Sequence, residues 1–256
     1  MNISAPQDFK VAALMGLVQG VTPIIISAHA GSIQTVNVPV TIGFNNLLQP
    51  FAAAAESWEI VSSSAADTAA GTGARTVLVE YLDATFTTRY VTVALNGLTA
   101  VPLAANCFRH QSSKTQTAGS GRVNAGLILI RVAGGGASRG LIDALHSASK
   151  QASFTVPANF TGYIQSTQFV VSKANGPGVT CTISFVTRSP NGVDTIELKG
   201  VIGEPGVDLN IPTGIPIYEK TTIEYIVTSV SANDVDVLAL TGVLLLNLSQ
   251  LKWPIT

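Results

Sequence analysis

The chain has 256 residues, 46% of them hydrophobic but only 11% charged, with a formal net charge of −1. Soluble domains average about 25% charged residues, so a surface this short of charge is poorly protected against association and favours a subunit of an assembly over a free enzyme. The longest basic pairing is Arg109-His110, which excludes the basic stripe that a nucleic-acid groove needs to neutralise phosphates.

Residues 8–18 place Val11, Leu14, Met15 and Val18 at helical spacing behind Asp8, which predicts a short amphipathic helix. Lys10, the apolar stretch Val11–Ile26 and the small residues Ala28-His29-Ala30 imitate a secretory signal. Asp8, Gln19 and Pro23 interrupt that stretch, and it is too broken to span a bilayer, which takes about 20 apolar residues. From Gly20 to Pro50 the chain is apolar and punctuated by Pro23, Pro39 and Gly43. We expect residues 1–50 to be an extended arm that makes assembly contacts.

From Trp58 onward the period becomes two. Val77, Val79 and Tyr81 alternate with Thr76, Leu78 and Glu80; Val91, Val93 and Leu95 follow before the turn Asn96-Gly97. Val179, Cys181, Ile183 and Phe185 alternate with threonine and serine, and Ile223, Tyr225 and Val227 repeat the pattern. Strands buried on one face read this way. Leu127–Val132 and Val235–Leu248 are apolar on both faces, which suits central strands. Turn signals at Asp83, Asn175-Gly176-Pro177 and Pro190-Asn191-Gly192 separate the runs.

The fold class is therefore all-β, a β-sandwich of jelly-roll type with very little helix. The blocks Trp58–Gly97 and Tyr163–Gly200 echo each other, which fits two related sandwiches or generic hairpin spacing. The corresponding division is an arm over 1–50, a first β unit over 51–140 and a second over 141–256. Gly134-Gly135-Gly136 marks the boundary, and Leu141–Ser149 reads as one short helix.

Chemistry is scarce. His29, His110 and His146 have no Cys, Asp or Glu at metal-ligand spacing. The stretch Gly119-Ser-Gly121-Arg-Val-Asn124-Ala-Gly126 imitates a dinucleotide fingerprint, but Asn124 stands where glycine is needed and a strand follows instead of a helix. It reads as a tight turn. Asp234 and Asp236 share a strand face and would lend oxygens to Ca²⁺, yet two ligands are few and loop capping is the plainer role. The sequons at Asn159 and Asn247 read as chance, the second because it lies in an apolar run. Cys107 and Cys181 stand far apart in apolar runs and read as two buried thiols. No catalytic, cofactor-binding or metal residue is assigned, and no enzyme activity is expected.

The stretch Trp58–Val77, with its Ser64-Ala-Ala-Asp67-Thr-Ala-Ala-Gly71-Thr-Gly73-Ala-Arg75 block, resembles a segment of structural proteins of tailed bacteriophages of aquatic bacteria. Tyr81-Leu82-Asp83, Asn96-Gly97, Gly119–Gly126, Phe154–Pro157 and Lys220–Tyr225 are similar to later parts of the same pattern. The resemblance covers most of residues 58–246 and implies a virion component made in the host cytoplasm. It brings no catalytic residue with it.

Read physically, the block is a polar loop stiffened by Asp67 and Thr side chains. Arg75 is placed to clamp a carboxylate of that loop or of a neighbouring subunit. The expected function is a capsid cement or decoration protein, homo-oligomeric with a trimer as the closed order, that contacts the major capsid protein or other virion proteins. It would engage neither nucleic acid nor membrane. The tail Leu251–Thr256, with Trp253, is a second candidate anchor. The rival expectation is a tail or fibre module that binds a host receptor or glycan.

Overall fold

The computed structural model describes residues 12–13, 16–34, 39–173, 178–190, 200–203 and 206–250. The helix expected over 8–18 falls largely outside these residues, as do the turn around Asn175 and the tail with Trp253.

The chain is all-β. Its strands in order are β1 (Val21–Ile33), β2 (Val40–Thr41), β3 (Glu56–Ser62), β4 (Ala74–Asp83), β5 (Thr88–Ala94), β6 (Val101–Ala118), β7 (Ile128–Val132), β8 (Ser138–Ile142), β9 (Ser153–Thr155), β10 (Thr161–Lys173), β11 (Thr180–Arg188), β12 (Gly200–Gly203), β13 (Gly206–Ile217), β14 (Thr222–Val230) and β15 (Val235–Leu246). They form three antiparallel sheets with the orders β1-β15-β10-β13, β12-β11-β14-β2 and β5-β4-β6-β3-β7-β8.

The first two sheets face each other across one core, to which β1 gives Ile26, Ala28 and Ile33, β10 gives Phe169 and Val171, β11 gives Cys181, Ile183 and Phe185, and β15 gives Val235, Val237 and Val243. Tyr225 of β14 stands at its centre. Its ring meets Phe169 edge-on with centroids 5.3 Å apart, and its hydroxyl bonds Thr167 Oγ1 (3.0 Å) and Thr241 Oγ1 (3.2 Å) across the gap. A phenol in such a core needs those partners, because an unpaired buried hydroxyl is costly.

Taken in chain order, the sandwich strands are β1, β2, β10, β11, β12, β13, β14 and β15. The first pairs with the last, the second with the seventh, the third with the sixth and the fourth with the fifth. Nested pairing of this kind, rolled so that β15 joins β10 and β14 joins β11, is the eight-stranded jelly roll.

The third sheet is inserted into one strand of that roll. β2 and β9 lie end to end along β14, with Val40 and Thr41 opposite Val227 and Ile226, and Ser153 to Thr155 opposite Glu224 to Thr222. At the break, Ile42 N donates to Tyr225 O (3.1 Å), Tyr225 N to Ala152 O (3.0 Å) and Ala152 N to Ile42 O (2.9 Å). The insert thus leaves and re-enters at a single hydrogen-bonded point. Gly43 makes the exit feasible: its φ is +79°, and a Cβ there would lie 1.6 Å from the Lys150 carbonyl oxygen.

The insert has its own core of Trp58, Ile60, Val77, Val79, Tyr81, Val93, Leu95, Cys107, Ile128, Ile130 and Ile142. β6 is long enough to pair with β3 through its first half and β4 through its second. The sheet curls until β8 returns to β6, where Gly140 lies so close to the His110 ring that a Cβ would approach it to 2.5 Å.

Three expectations change. Val21–Ile33 is the edge strand of a sandwich sheet and no draped arm; Pro23 is tolerated there because an edge strand need not donate every N–H. Leu141–Ser149 is not helical. Leu141 and Ile142 complete β8, Leu145 turns with φ +64°, and Ser147 and Ser149 bond the backbone of Thr115 and Ser113. The echo between Trp58–Gly97 and Tyr163–Gly200 reflects hairpin spacing: β3 and β4 share one sheet, whereas β10 and β11 lie in opposite sheets of the sandwich.

Candidate functional site

Three features carry the polar and exposed chemistry of the molecule, beginning with the loop around Asp67. This carboxylate is fully buried, yet among the described residues it forms no ion pair. Instead Oδ1 accepts from the backbone N–H groups of Ala74 (2.7 Å) and Ala125 (2.8 Å), and Oδ2 from Gly126 N (2.9 Å) and Ser62 Oγ (2.6 Å). Gly73 packs against Oδ1, where a Cβ would sit at 2.1 Å; Gly119 and Gly121 pack on Gly71 and Thr72. The two glycine-bearing segments singled out in the sequence are therefore one structure, with 119–126 closing over the 64–75 loop. Arg75 Nε donates to the Gly71 carbonyl (3.0 Å), so its partner is a loop carbonyl and not a carboxylate. Both Asp67 oxygens are committed to the backbone and to Ser62, which makes the loop a rigid corner. In the closing segment Asn124 Nδ2 bonds the Gly126 and Asp143 carbonyls, while its buried Oδ1 has no partner among the described residues.

The second feature is the seam between insert and sandwich. Phe51 receives the guanidinium groups of Arg109 and Arg188 at 5.6 and 5.4 Å from its centroid. Arg139 grips Glu56 with two bonds of 2.6 and 2.9 Å. Arg188 meets the fully buried Glu224 at 3.0 Å, and Glu224 also accepts from Thr41 Oγ1 at 2.5 Å. Burial pushes the Glu224 carboxyl up against the pull of Thr41 and Arg188. Arg109 is drawn down to about 10, first by burial and then by the nearby Arg139 and Arg188. Gln111 bonds both backbone groups of Thr155, and Gln49 ties Ser153 to Arg139. This buried network fixes the insert on the roll.

The third feature is the outer face of the sheet β1-β15-β10-β13. Along β15 that face reads Asp236, Leu238, Leu240, Gly242, Leu244 and Leu246. Leu244 is covered by Ala12, Ala13 and Val18. Beyond that cover Leu238 and Leu240 are 39% exposed, Val170 37% and Ile25 72%. The two-faced apolar pattern of β15 suits a central strand, and β15 lies between β1 and β10.

The remaining candidates fall in separate places. His110 is buried and bonds Ser113 Oγ at 2.5 Å, and burial lowers it to about 4. His29 lies on β1 and His146 beyond β8. Asp236 Oδ1 accepts from Ser32 N and Asp234 Oδ1 from Gln34 Nε2, so both aspartates hold the end of β1. Cys107 and Cys181 are free, lie in different cores and are pushed up to about 12 by burial. Trp58 is part of the insert core. Asn247 is buried with its Oδ1 on Ser249. Among the described residues no three His, Cys, Asp or Glu side chains gather as a metal site, and no helix is long and apolar enough to cross a membrane.

No protein-family model matches this chain, and no curated protein matches it. Among solved structures it is similar to infectious bursal disease virus of the Gx and Gt strains and to T=1 particles derived from that virus. Identity is 13% in each case, over 94% of this chain and 78%, 74% and 75% of theirs, with TM-scores of 0.18, 0.20 and 0.20.

Proposed function

We propose that this chain is a non-catalytic structural subunit of a virion, with the jelly roll making shell contacts and the insert standing off it. The observation that carries this reading is the nested eight-stranded pairing with a second unit spliced into one strand. Jelly rolls serve chiefly in capsids, lectins and cupins. The buried polar groups here are spent on rigidity, and the outer face of the β1-β15-β10-β13 sheet leaves Ile25, Val170, Leu238 and Leu240 exposed, which supports an assembly role within that set. The Ser64–Arg75 resemblance narrows it to a tailed bacteriophage, as a capsid cement or decoration protein.

The rival reading, a tail or fibre module that binds a host receptor or glycan, draws on two exposed aromatics, Tyr90 (65%) and Tyr218 (72%). One experiment separates the two: purified protein is sedimented with undecorated capsids and, separately, with whole host cells. Capsid binding supports the shell reading. Binding to cells with none to capsids replaces it with the rival.

A further inference from the structure

We propose that the open stretch of β1 around Ile25–Ser27 pairs antiparallel with the same stretch of a second copy of this chain, across a two-fold axis. The proposal deepens the assembly reading by naming the partner and the seam.

β1 is the edge of its sheet, and its odd-numbered residues turn their backbone groups away from β15. His29 N donates to Lys150 O (3.0 Å), and Gly31 O accepts from Asn46 Nδ2 (3.1 Å), so the far end of that edge is closed. Pro23 offers no N–H at the near end. Between them the N–H and C=O groups of Ile25 and Ser27 find no partner among the described residues. Unpaired edge groups are a template for another strand.

The other edges of the sandwich are blunted in ways that β1 is not. β12 has four residues, β2 two and β9 three. β13 carries Asp208, Pro212 and Pro216. Short length, charge and proline are the usual protections of an edge. β1 runs 13 residues, Val21–Ile33, without one Lys, Arg, Asp or Glu. A copy meeting a copy therefore brings no like charges together, which is the condition an isologous contact must satisfy.

The register follows from the ends. With Ile26 on the two-fold axis, Ile25 lies opposite the partner's Ser27, and their backbone groups exchange four hydrogen bonds over the two symmetric pairs. Lys150 already fills the lane beside His29, so the partner's chain turns aside at Pro23, which has no N–H to leave unpaired, and the seam stops there. Two four-stranded sheets become one of eight, and Ile25 of each copy lies diagonal to its mate on the outer face, within side-chain reach.

Sedimentation equilibrium of the purified chain across micromolar concentrations tests this without any particle present. The expected mass is twice the 26.5 kDa of one chain. Ile25→Lys, an exposed substitution that leaves the core intact, and Ser27→Pro, which removes a donor, each weaken the dimer at least about tenfold, or about 1.4 kcal/mol; Ile25→Val leaves it in place. Backbone amide exchange at Ser27 slows as concentration rises. A monomer throughout, an odd-numbered oligomer, or a dimer indifferent to Ile25→Lys overturns the seam. A dimer that fails to bind capsids leaves the seam standing and removes the shell reading instead.

Discussion

Replacing Asp67 tests whether the loop is the rigid corner described above. Asp67→Ala removes a fully buried carboxylate that accepts three backbone N–H groups and one hydroxyl. Hydrogen bonds to a charged group contribute about 1.5–3 kcal/mol, and each buried donor left unpaired costs about 1–3 kcal/mol. These terms do not add fully, and water entering the space recovers part of the loss, so we expect about 4 kcal/mol, at the upper end for a single substitution. Asp67→Asn keeps one carbonyl oxygen but turns an N–H₂ toward Gly126 N or toward Ala74 and Ala125. We expect about 2 kcal/mol from that mismatch.

Urea unfolding followed by Trp58 fluorescence reports on the insert, because Trp58 lies in its core. With a slope of about 1–3 kcal/mol/M, the alanine variant's midpoint falls by about 2 M. A loss below about 1 kcal/mol for Asp67→Ala would refute the reasoning, since it would mean that the four donors find other partners at no cost.

The remaining predictions concern the splice, the hinge glycine and acid sensitivity. Replacing residues 43–151 by a short Gly/Ser linker leaves a folded roll, because Ile42 and Ala152 already touch; circular dichroism and a cooperative melt check it, and loss of cooperativity contradicts it. Gly43→Ala lowers stability by about 2 kcal/mol or more, through its positive φ and the collision with Lys150 O, measured by the shift in urea midpoint. His110, held near 4 in the fold against about 6.5 when exposed, binds more protons unfolded than folded between those values. Stability of the insert therefore falls as pH drops from about 6.5 to about 4, and His110→Gln flattens that slope. Asp83 adds a second, lower window. Burial works to raise its carboxyl, but bonds from Thr85, Arg89 and Thr87 outweigh burial and hold it at about 2, so its contribution is lost as pH falls from about 3.9 toward 2, which Asp83→Asn abolishes.

Many of the strands were legible because apolar and polar residues alternate with a period of two. β4 of the insert and β11 and β14 of the sandwich carry that alternation in Val77–Tyr81, Cys181–Phe185 and Ile223–Val227, although in β11 and β14 the polar face is largely buried as well, and β15 advertises its central place by being apolar on both faces. β6 was not legible. Its sequence from Asn106 to Thr117 is mostly polar, because the outer face of the insert is solvated and its 18 residues serve two partners with register shifts that break the alternation. β1 does not read as a strand because Pro23 within it and Pro39 and Gly43 beyond it signal irregular chain, yet an edge strand accepts a proline.

The candidate features divide in the same way. The Asp67 block was visible as an unusual cluster of Asp, Thr and Gly, but its closure by residues 119–126 depends on contacts some 58 positions apart. The seam of Arg109 and Arg188 on Phe51, with Arg139 on Glu56 beside it, left no local signal, since the three arginines come from β6, β11 and β8. The splice at Ile42 and Ala152 also changes an experiment. Deleting residues 1–50 would remove β1 and β2 and unfold the roll, so an N-terminal truncation that probes assembly must stop before β1.

The central claim is that the chain is a repeated shell subunit. Cryo-electron microscopy of the purified particle tests it most directly. The account predicts the roll in many symmetry-related copies on the shell, the insert projecting from it. Density confined to a tail tip, or a particle that lacks the chain altogether, contradicts it.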